Sequence, residues 1–275
     1  MARSSLKNVC RLLQEQTVQQ PVEQSFLSDL KRSIELTDRA NRRKPSMTYK
    51  PSSMHCIRNM YFQRTGAEQD EGESSYTLIG ICNSGSDIHQ RIQQAVLDMA
   101  QNGMDCEYVN VADYVRARGL DYLEIVKEPD PEHGDYETKL FHKELQLSFL
   151  CDGIIRYKGK YYILELKTES SSKFMMRKGV DPKHYNQGTA YSVAFGIDEV
   201  VFIYINRDVL DMKAFLFVPT EEMKSNLTKL VHDCEEYVVD GKVPPKPIDI
   251  PRQVCEYCAY KGECRKVTDY DVYKL

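Results

Sequence analysis

The chain has 275 residues, 41% hydrophobic and 28% charged, with a formal net charge of −4. That length carries one large domain or two small ones with a real core, and the composition is that of a soluble globular protein. No stretch nears the ~18 apolar residues of a membrane span, and "MARSSLKNVCRLLQEQ" lacks the apolar centre of a signal peptide, so the chain reads as a cytosolic protein.

Residues 1–45 are polar and helix-like. In "SFLSDLKRSIEL", Phe26, Leu27, Leu30, Ile34 and Leu36 fall near helical spacing. Residues 1–48 read as an N-terminal helical segment and 49–275 as a single domain. "KPSSMHCIRNMYFQRTG" predicts a helix capped by Ser52 or Ser53 and ended by Gly66. Residues 67–76 read as an acidic loop. "GSDIHQRIQQAVLDMAQNG" predicts an amphipathic helix with a buried stripe of Ile88, Ile92, Ala95 and Met99, closed by Gly103. Short strand-like pieces and the loop "KEPDPEHGDYE" follow.

The strongest strand signal comes next. "KLFHKELQLSFLCDGIIRY", the turn "KGK" and "YYILELKTES" predict two antiparallel strands joined by a tight glycine turn. "DPKHYNQGTAYSVAFG" predicts a helix starting after Pro182. "EVVFIYINR" and "MKAFLFVPT" predict two more strands, and "TEEMKSNLTKLVHDCEEYVVDG" a helix capped by Thr220. This order predicts an α/β core with a central mixed sheet flanked by helices.

Within "ILELKTES", alternation puts Glu165 and Lys167 on one strand face and Leu164 and Leu166 on the other. Asp152, across the hairpin, can reach Glu165. Two close carboxylates repel by roughly 4 kcal/mol at an effective dielectric near 20. Lys167 offsets part of that, and a divalent cation with a taste for oxygen ligands, Mg²⁺ or Mn²⁺, offsets more. The Glu-x-Lys pattern alone is short and common, and a surface ion pair satisfies it equally well. Two further features corroborate it: His89 on the helix upstream, and Gln187 with Tyr191 one turn apart on the helix downstream.

Taken together, the series Gly85-xxx-His89, Asp152-Gly153, Glu165-Leu166-Lys167 and Gln187-xxx-Tyr191 resembles the RecB-type branch of the PD-(D/E)xK nucleases. The resemblance covers residues 85–191 and implies a restriction-endonuclease-like core. It implies that Asp152 and Glu165 are metal ligands, that the Leu166 carbonyl adds an oxygen and that His89 is a ligand or helper. By the same resemblance Lys167 is the catalytic lysine, and Gln187 and Tyr191 orient the strand or the scissile phosphate. Cys151 stands where the family has proline. Glu144 is a candidate extra acid.

Of nine cysteines, Cys255, Cys258 and Cys264 crowd together as C-x2-C-x5-C. A tetrahedral or cubane site wants a fourth thiolate, and Cys56 is the best candidate. Spacing alone does not choose between zinc and an iron–sulfur cluster. The other cysteines, Cys10, Cys82, Cys106, Cys151 and Cys234, read as small buried hydrophobes. One early cysteine followed by the core motifs and C-x2-C-x5-C resembles the iron–sulfur nucleases: the AddB-type nuclease domain and the small exonucleases of CRISPR adaptation. In those a [4Fe–4S] cluster staples the ends of the domain together.

Basic residues gather near the motifs. Lys50, Arg58 and Arg64 flank Cys56, and Lys173, Arg177, Lys178 and Lys183 precede Gln187. Arg58, Lys173, Arg177 and Lys178 are candidate DNA contacts, and Phe174 or Tyr185 could stack on a base. The stretch 171–183 reads as a loop over the cleft. The resemblance implies a metal-dependent exonuclease acting on DNA ends, with single strands favoured. No P-loop is present, so any unwinding falls to a separate helicase or recombination protein. Two other readings stay open: a nuclease-fold DNA-binding subunit of a recombination or adaptation complex, and a structure-specific endonuclease.

Overall fold

The hairpin ending in "KGK" is present. Strands β5 (Gly153–Tyr157) and β6 (Lys160–Glu169) pair antiparallel, with Gly153 opposite Leu164. Lys158 and Gly159 both take positive φ, 49° and 79°, as a two-residue hairpin turn requires. The coordinates are a computed structural model, which describes residues 21–41, 46–70, 75–131, 134–247, 250, 252–267 and 272–273. Cys10 lies outside them. None of the helices among the described residues is long and apolar enough to cross a membrane.

A five-stranded mixed sheet organises the larger part of the chain, in the order β1 (Cys106–Val109), β5, β6, β7 (Val200–Asn206) and β8 (Met212–Phe217). Only the β6–β7 pairing is parallel. A second, antiparallel sheet holds β2 (Leu123–Lys127), β3 (Thr138–His142) and β4 (Leu147–Cys151). The stretch read from the sequence as one long strand is therefore three strands. Its break at Lys143–Gln146 is a turn without glycine or proline, in which Gln146 takes a φ of 49°. Two-residue strands β9 (Lys246–Pro247) and β10 (Val272–Tyr273) pair in parallel.

The helices are α1 (Val22–Asn41), α2 (Ile57–Arg64), α3 (Tyr76–Gln101), α4 (Val111–Arg118), α5 (Ser171–Met176), α6 (Tyr185–Phe195), α7 (Glu221–Val239), α8 (Arg252–Glu256) and α9 (Lys261–Lys266). Thr220 caps α7, its hydroxyl accepting from the Met223 N–H at 3.1 Å. Helix α2 starts later than its serines predict. Ser53 turns its hydroxyl to Lys50 O and Gln63 Oε1, and Cys56 takes the N-cap position. The stretch 171–183 contains α5, whose Phe174 is buried, and so is not a plain loop.

Both faces of the large sheet are covered. Ile163, Phe202 and Tyr204 pack with Ala190, Phe195 and Leu230 from α6 and α7. On the other face Leu164, Leu166 and Ile205 pack with Ile88 and Val96 of α3. In that helix Val96 is buried where Ala95 was expected, because the buried stripe drifts by one residue. Burying a leucine stabilises by roughly 1.5–3 kcal/mol, so Leu164 and Leu166 fix which way up β6 lies.

The chain divides into two compact units, residues 1–43 with 73–81, and residues 44–72 with 82–275. In the first, Glu35 accepts from the Tyr76 N–H at 2.9 Å and Lys31 sits 4.6 Å from the Tyr76 ring centre. The helix α1 is confirmed, but Phe26, Leu27, Leu30, Ile34 and Leu36 are exposed on it.

Candidate active site

Asp152 occupies the single residue between β4 and β5, where the chain passes from the small sheet to the large one. Since Gly153 pairs with Leu164, Asp152 stands beside Glu165. Strand β6 runs on past the end of β5, which leaves the Leu166 N–H without a strand partner. Asp152 Oδ2 accepts it at 2.7 Å. A residue's N–H and C=O point to the same edge of a strand, so the Leu166 carbonyl faces the Asp152 side too. The other oxygen, Oδ1, lies 3.3 Å from His89 Nδ1.

The bend is held rigidly. The Asp152 carbonyl accepts from Tyr108 Oη at 2.7 Å and Gln93 Nε2 at 2.8 Å. A methyl on Gly153 would stand 2.7 Å from Tyr108 Cε2, so only glycine fits after Asp152. Cys151 is fully buried and points its thiol at the Gly153 carbonyl. Gln93 carries a signal in the sequence, being one helical turn beyond His89 on α3.

Glu165 and Lys167 share a face, as alternation predicts. Glu165 is buried, and its Oε1 accepts from Lys167 Nζ and, at 2.6 Å, from Gln187 Nε2. Its Oε2 is buried with no partner among the described residues. Gln187 also donates to Tyr191 Oη at 3.0 Å, and that hydroxyl donates to the Leu150 carbonyl at 3.0 Å. Tyr191 is thus an internal strut behind Gln187, not a group facing the cleft.

Glu144 is not the extra acid: it lies exposed in the β3–β4 turn. Glu137 takes that place. Thr138 pairs with Cys151, which sets Glu137 beside Asp152. One ligand atom each from His89, Glu137 and Asp152 lie within 4.8 Å of one another.

The electrostatics show acids short of positive charge. Burial, reinforced by the Asp152 charge, pushes Glu165 up to about 8 despite Lys167. Burial and Asp152 together push Glu137 up to about 7. Burial alone would raise Asp152, but the His89 hydrogen bond and charge outweigh it and hold that carboxyl below its ordinary value. Burial would lower His89, and Asp152 reverses this and raises it. The His89, Glu137 and Asp152 cluster, with the orphaned Glu165 oxygen on the strand beside Asp152, fits a hard divalent cation. Both raised carboxyls are protonated below their pKa values and must lose protons to bind it. Uptake of Mn²⁺ is therefore expected to strengthen from pH 6 to pH 8.5 and to release protons. Titration calorimetry in buffers of different ionisation enthalpy measures this, and a flat profile would exclude both groups as ligands.

The cysteines gather at the C-terminal segment. Burial pushes the Cys56 thiol up to about 11, with Cys258 and Cys264 near enough to add to it. Asn59 Nδ2 lies 3.4 Å from Cys258 Sγ, and Arg58 Nη1 lies 3.6 Å from Cys264 Sγ. Donors aimed at sulfur suit anionic sulfur, so the residues fit a thiolate-bound metal centre. Phe62 packs on Tyr260, and Asp70 accepts from the Gly262 N–H, so α2 and its exit already hold this segment.

Several expected DNA contacts are not available. Arg58 is buried, with Nε on the Pro244 carbonyl. Arg177 is bound by Glu169 at 2.8 Å and Asp181 at 3.1 Å and lies 4.4 Å from the Tyr204 ring centre. Phe174 is buried, whereas Tyr185 stacks on Phe217 and stays exposed. Arg64 binds Glu235. Lys50, Lys173, Lys178 and Lys183 are exposed.

No family model matches this sequence, and no curated protein matches it. Among solved structures, the crystal structure of SSO0001 is 17% identical with a TM-score of 0.43, over 89% of this chain and 99% of that one. The structure of LHK-Exo in complex with dAMP is 10% identical with a TM-score of 0.40, over 71% of this chain and 89% of that one. Likeness at this level leaves family and activity to the chemistry of the site itself.

Proposed function

We propose that this chain is a metal-dependent deoxyribonuclease of RecB type that hydrolyses phosphodiesters at DNA ends or in single strands. The observation that carries this reading is the cluster of His89, Glu137 and Asp152, whose ligand atoms lie within 4.8 Å of one another, with the buried Glu165 Oε2, unpartnered among the described residues, on the strand beside Asp152 and Lys167 alongside it. Those four groups would hold Mg²⁺ or Mn²⁺, which supplies an activated water and charge for the phosphate oxygens. The chain's own residues do the rest. Gln187 and Lys167 occupy Oε1 of Glu165 and leave Oε2 for the cation. His89 and the Leu166 N–H fix the two oxygens of Asp152. The Lys167 side chain, 23% exposed, presents an ammonium to charge developing on the phosphate.

We assign Cys56, Cys255, Cys258 and Cys264 to a [4Fe–4S] cluster that closes the domain. What supports a thiolate centre there is that Arg58 and Asn59 aim N–H donors at the sulfurs of Cys264 and Cys258.

The test is digestion with Mn²⁺ of linear and circular single-stranded DNA by anaerobically purified protein. Linear DNA is expected to be degraded and circles spared, with iron in the protein. Cut circles would turn the reading to an endonuclease, and colourless protein carrying zinc would remove the cluster.

A further inference from the structure

Past Lys167, β6 borders a cavity of about 140 Å³. Lys167, Lys173, Lys183, Arg207, His184 and Tyr204 line it. The one acid in its wall, Glu169, is already spent, because its carboxylate takes both the Nε and the Nη2 of Arg177. Lys167 is matched by Glu165, and Lys183 sits 3.9 Å from Asp181. Lys173 and Arg207 have no ion-pair partner among the described residues.

The Tyr204 hydroxyl accepts from the Asp181 N–H at 2.9 Å and lies 2.8 Å from His184 Nδ1. Burial, then Lys167 and Lys183, keep the His184 ring neutral, holding its pKa down to about 3. A cavity offering ammonium and guanidinium groups, its acid consumed, suits an anion. Its volume is enough for a tetrahedral phosphate. Two unpaired cations match the charge of a terminal phosphate monoester, about −1.5 to −2, better than the single charge of an internal diester.

We propose that this cavity is a phosphate site that selects DNA strand ends carrying a terminal phosphate. The proposal rests on the nuclease reading, because it takes the bound strand to be the one presented to Lys167. Its test uses no divalent metal and no cleavage. Fluorescence anisotropy would compare single-stranded oligonucleotides bearing phosphate or hydroxyl at each end in turn, with EDTA present. Phosphate at one end is expected to tighten binding about tenfold. Lys173→Ala with Arg207→Ala is expected to abolish that preference, and millimolar inorganic phosphate to weaken it. Equal binding of phosphorylated and hydroxyl ends would overturn the proposal. So would a double variant that weakens both kinds of end equally, since the cavity would then hold an internal diester. Hydrolysis that fails in Mn²⁺ while the preference persists would count against the nuclease reading alone.

Discussion

Lys167→Ala is expected to slow DNA hydrolysis by about 10²–10³-fold, the usual loss when one group stabilising transition-state charge is removed. The ammonium has two neighbours in this account, the Glu165 carboxylate it touches and the phosphate it faces. Removing it costs both. Glu165, already pushed up to about 8 by burial and by Asp152, loses the cation that lowers it. Its carboxyl then holds its proton to higher pH. The variant is therefore expected to need more Mn²⁺ at neutral pH and to regain part, not all, of its rate as pH rises. The fold should persist, because a protonated Glu165 keeps its Gln187 hydrogen bond without a buried charge. Wild-type rates of digestion by this variant, measured on labelled DNA from pH 6 to 9, would remove Lys167 from the reaction.

Gly153→Ala is expected to be nearly as damaging, although the residue binds nothing itself. The added methyl would meet Tyr108 at 2.7 Å on the ring and 3.0 Å at the hydroxyl oxygen. Either the ring moves and gives up its bond to the Asp152 carbonyl, or the bend moves and takes Asp152 with it. Overpacking of this kind costs about 1–3 kcal/mol, and a shift near 1 Å at a reacting group costs about 10²-fold in rate. Thermal unfolding and single-turnover rates on the same preparation check both. Tyr108→Ala placed in the Gly153→Ala chain should recover part of the stability by opening space. If Gly153→Ala alone melts and digests like the wild type, the bend is not held by Tyr108.

Features that depend on neighbours in sequence were legible. The alternation that turns Glu165 and Lys167 one way needs only strand geometry, and the Lys158–Gly159 turn announces itself. Glu137 was not legible, because its place beside Asp152 depends on the β3–β4 register. That register was hidden by a turn in which Gln146, not glycine, takes the positive φ. The burial of Arg58 and Phe174 and the pairing of Arg177 are hidden from the sequence for a related reason. Whether a cation faces solvent or a buried carbonyl is decided by distant partners, here Pro244 for Arg58 and Glu169 for Arg177. The cysteine spacing marks candidate ligands but not Asn59 and Arg58, which approach the sulfurs of Cys258 and Cys264 from α2.

A single residue joins the two sheets, and that residue is Asp152. Strand β4 belongs to one sheet and β5 to the other, so the gap between Asp152 and Glu165 reports how the sheets are docked. A cation held as proposed above would share one coupling free energy with sheet docking, each favouring the other by the same factor. A strand of DNA that settles β2, β3 and β4 against the larger sheet would raise the affinity for the cation without touching it.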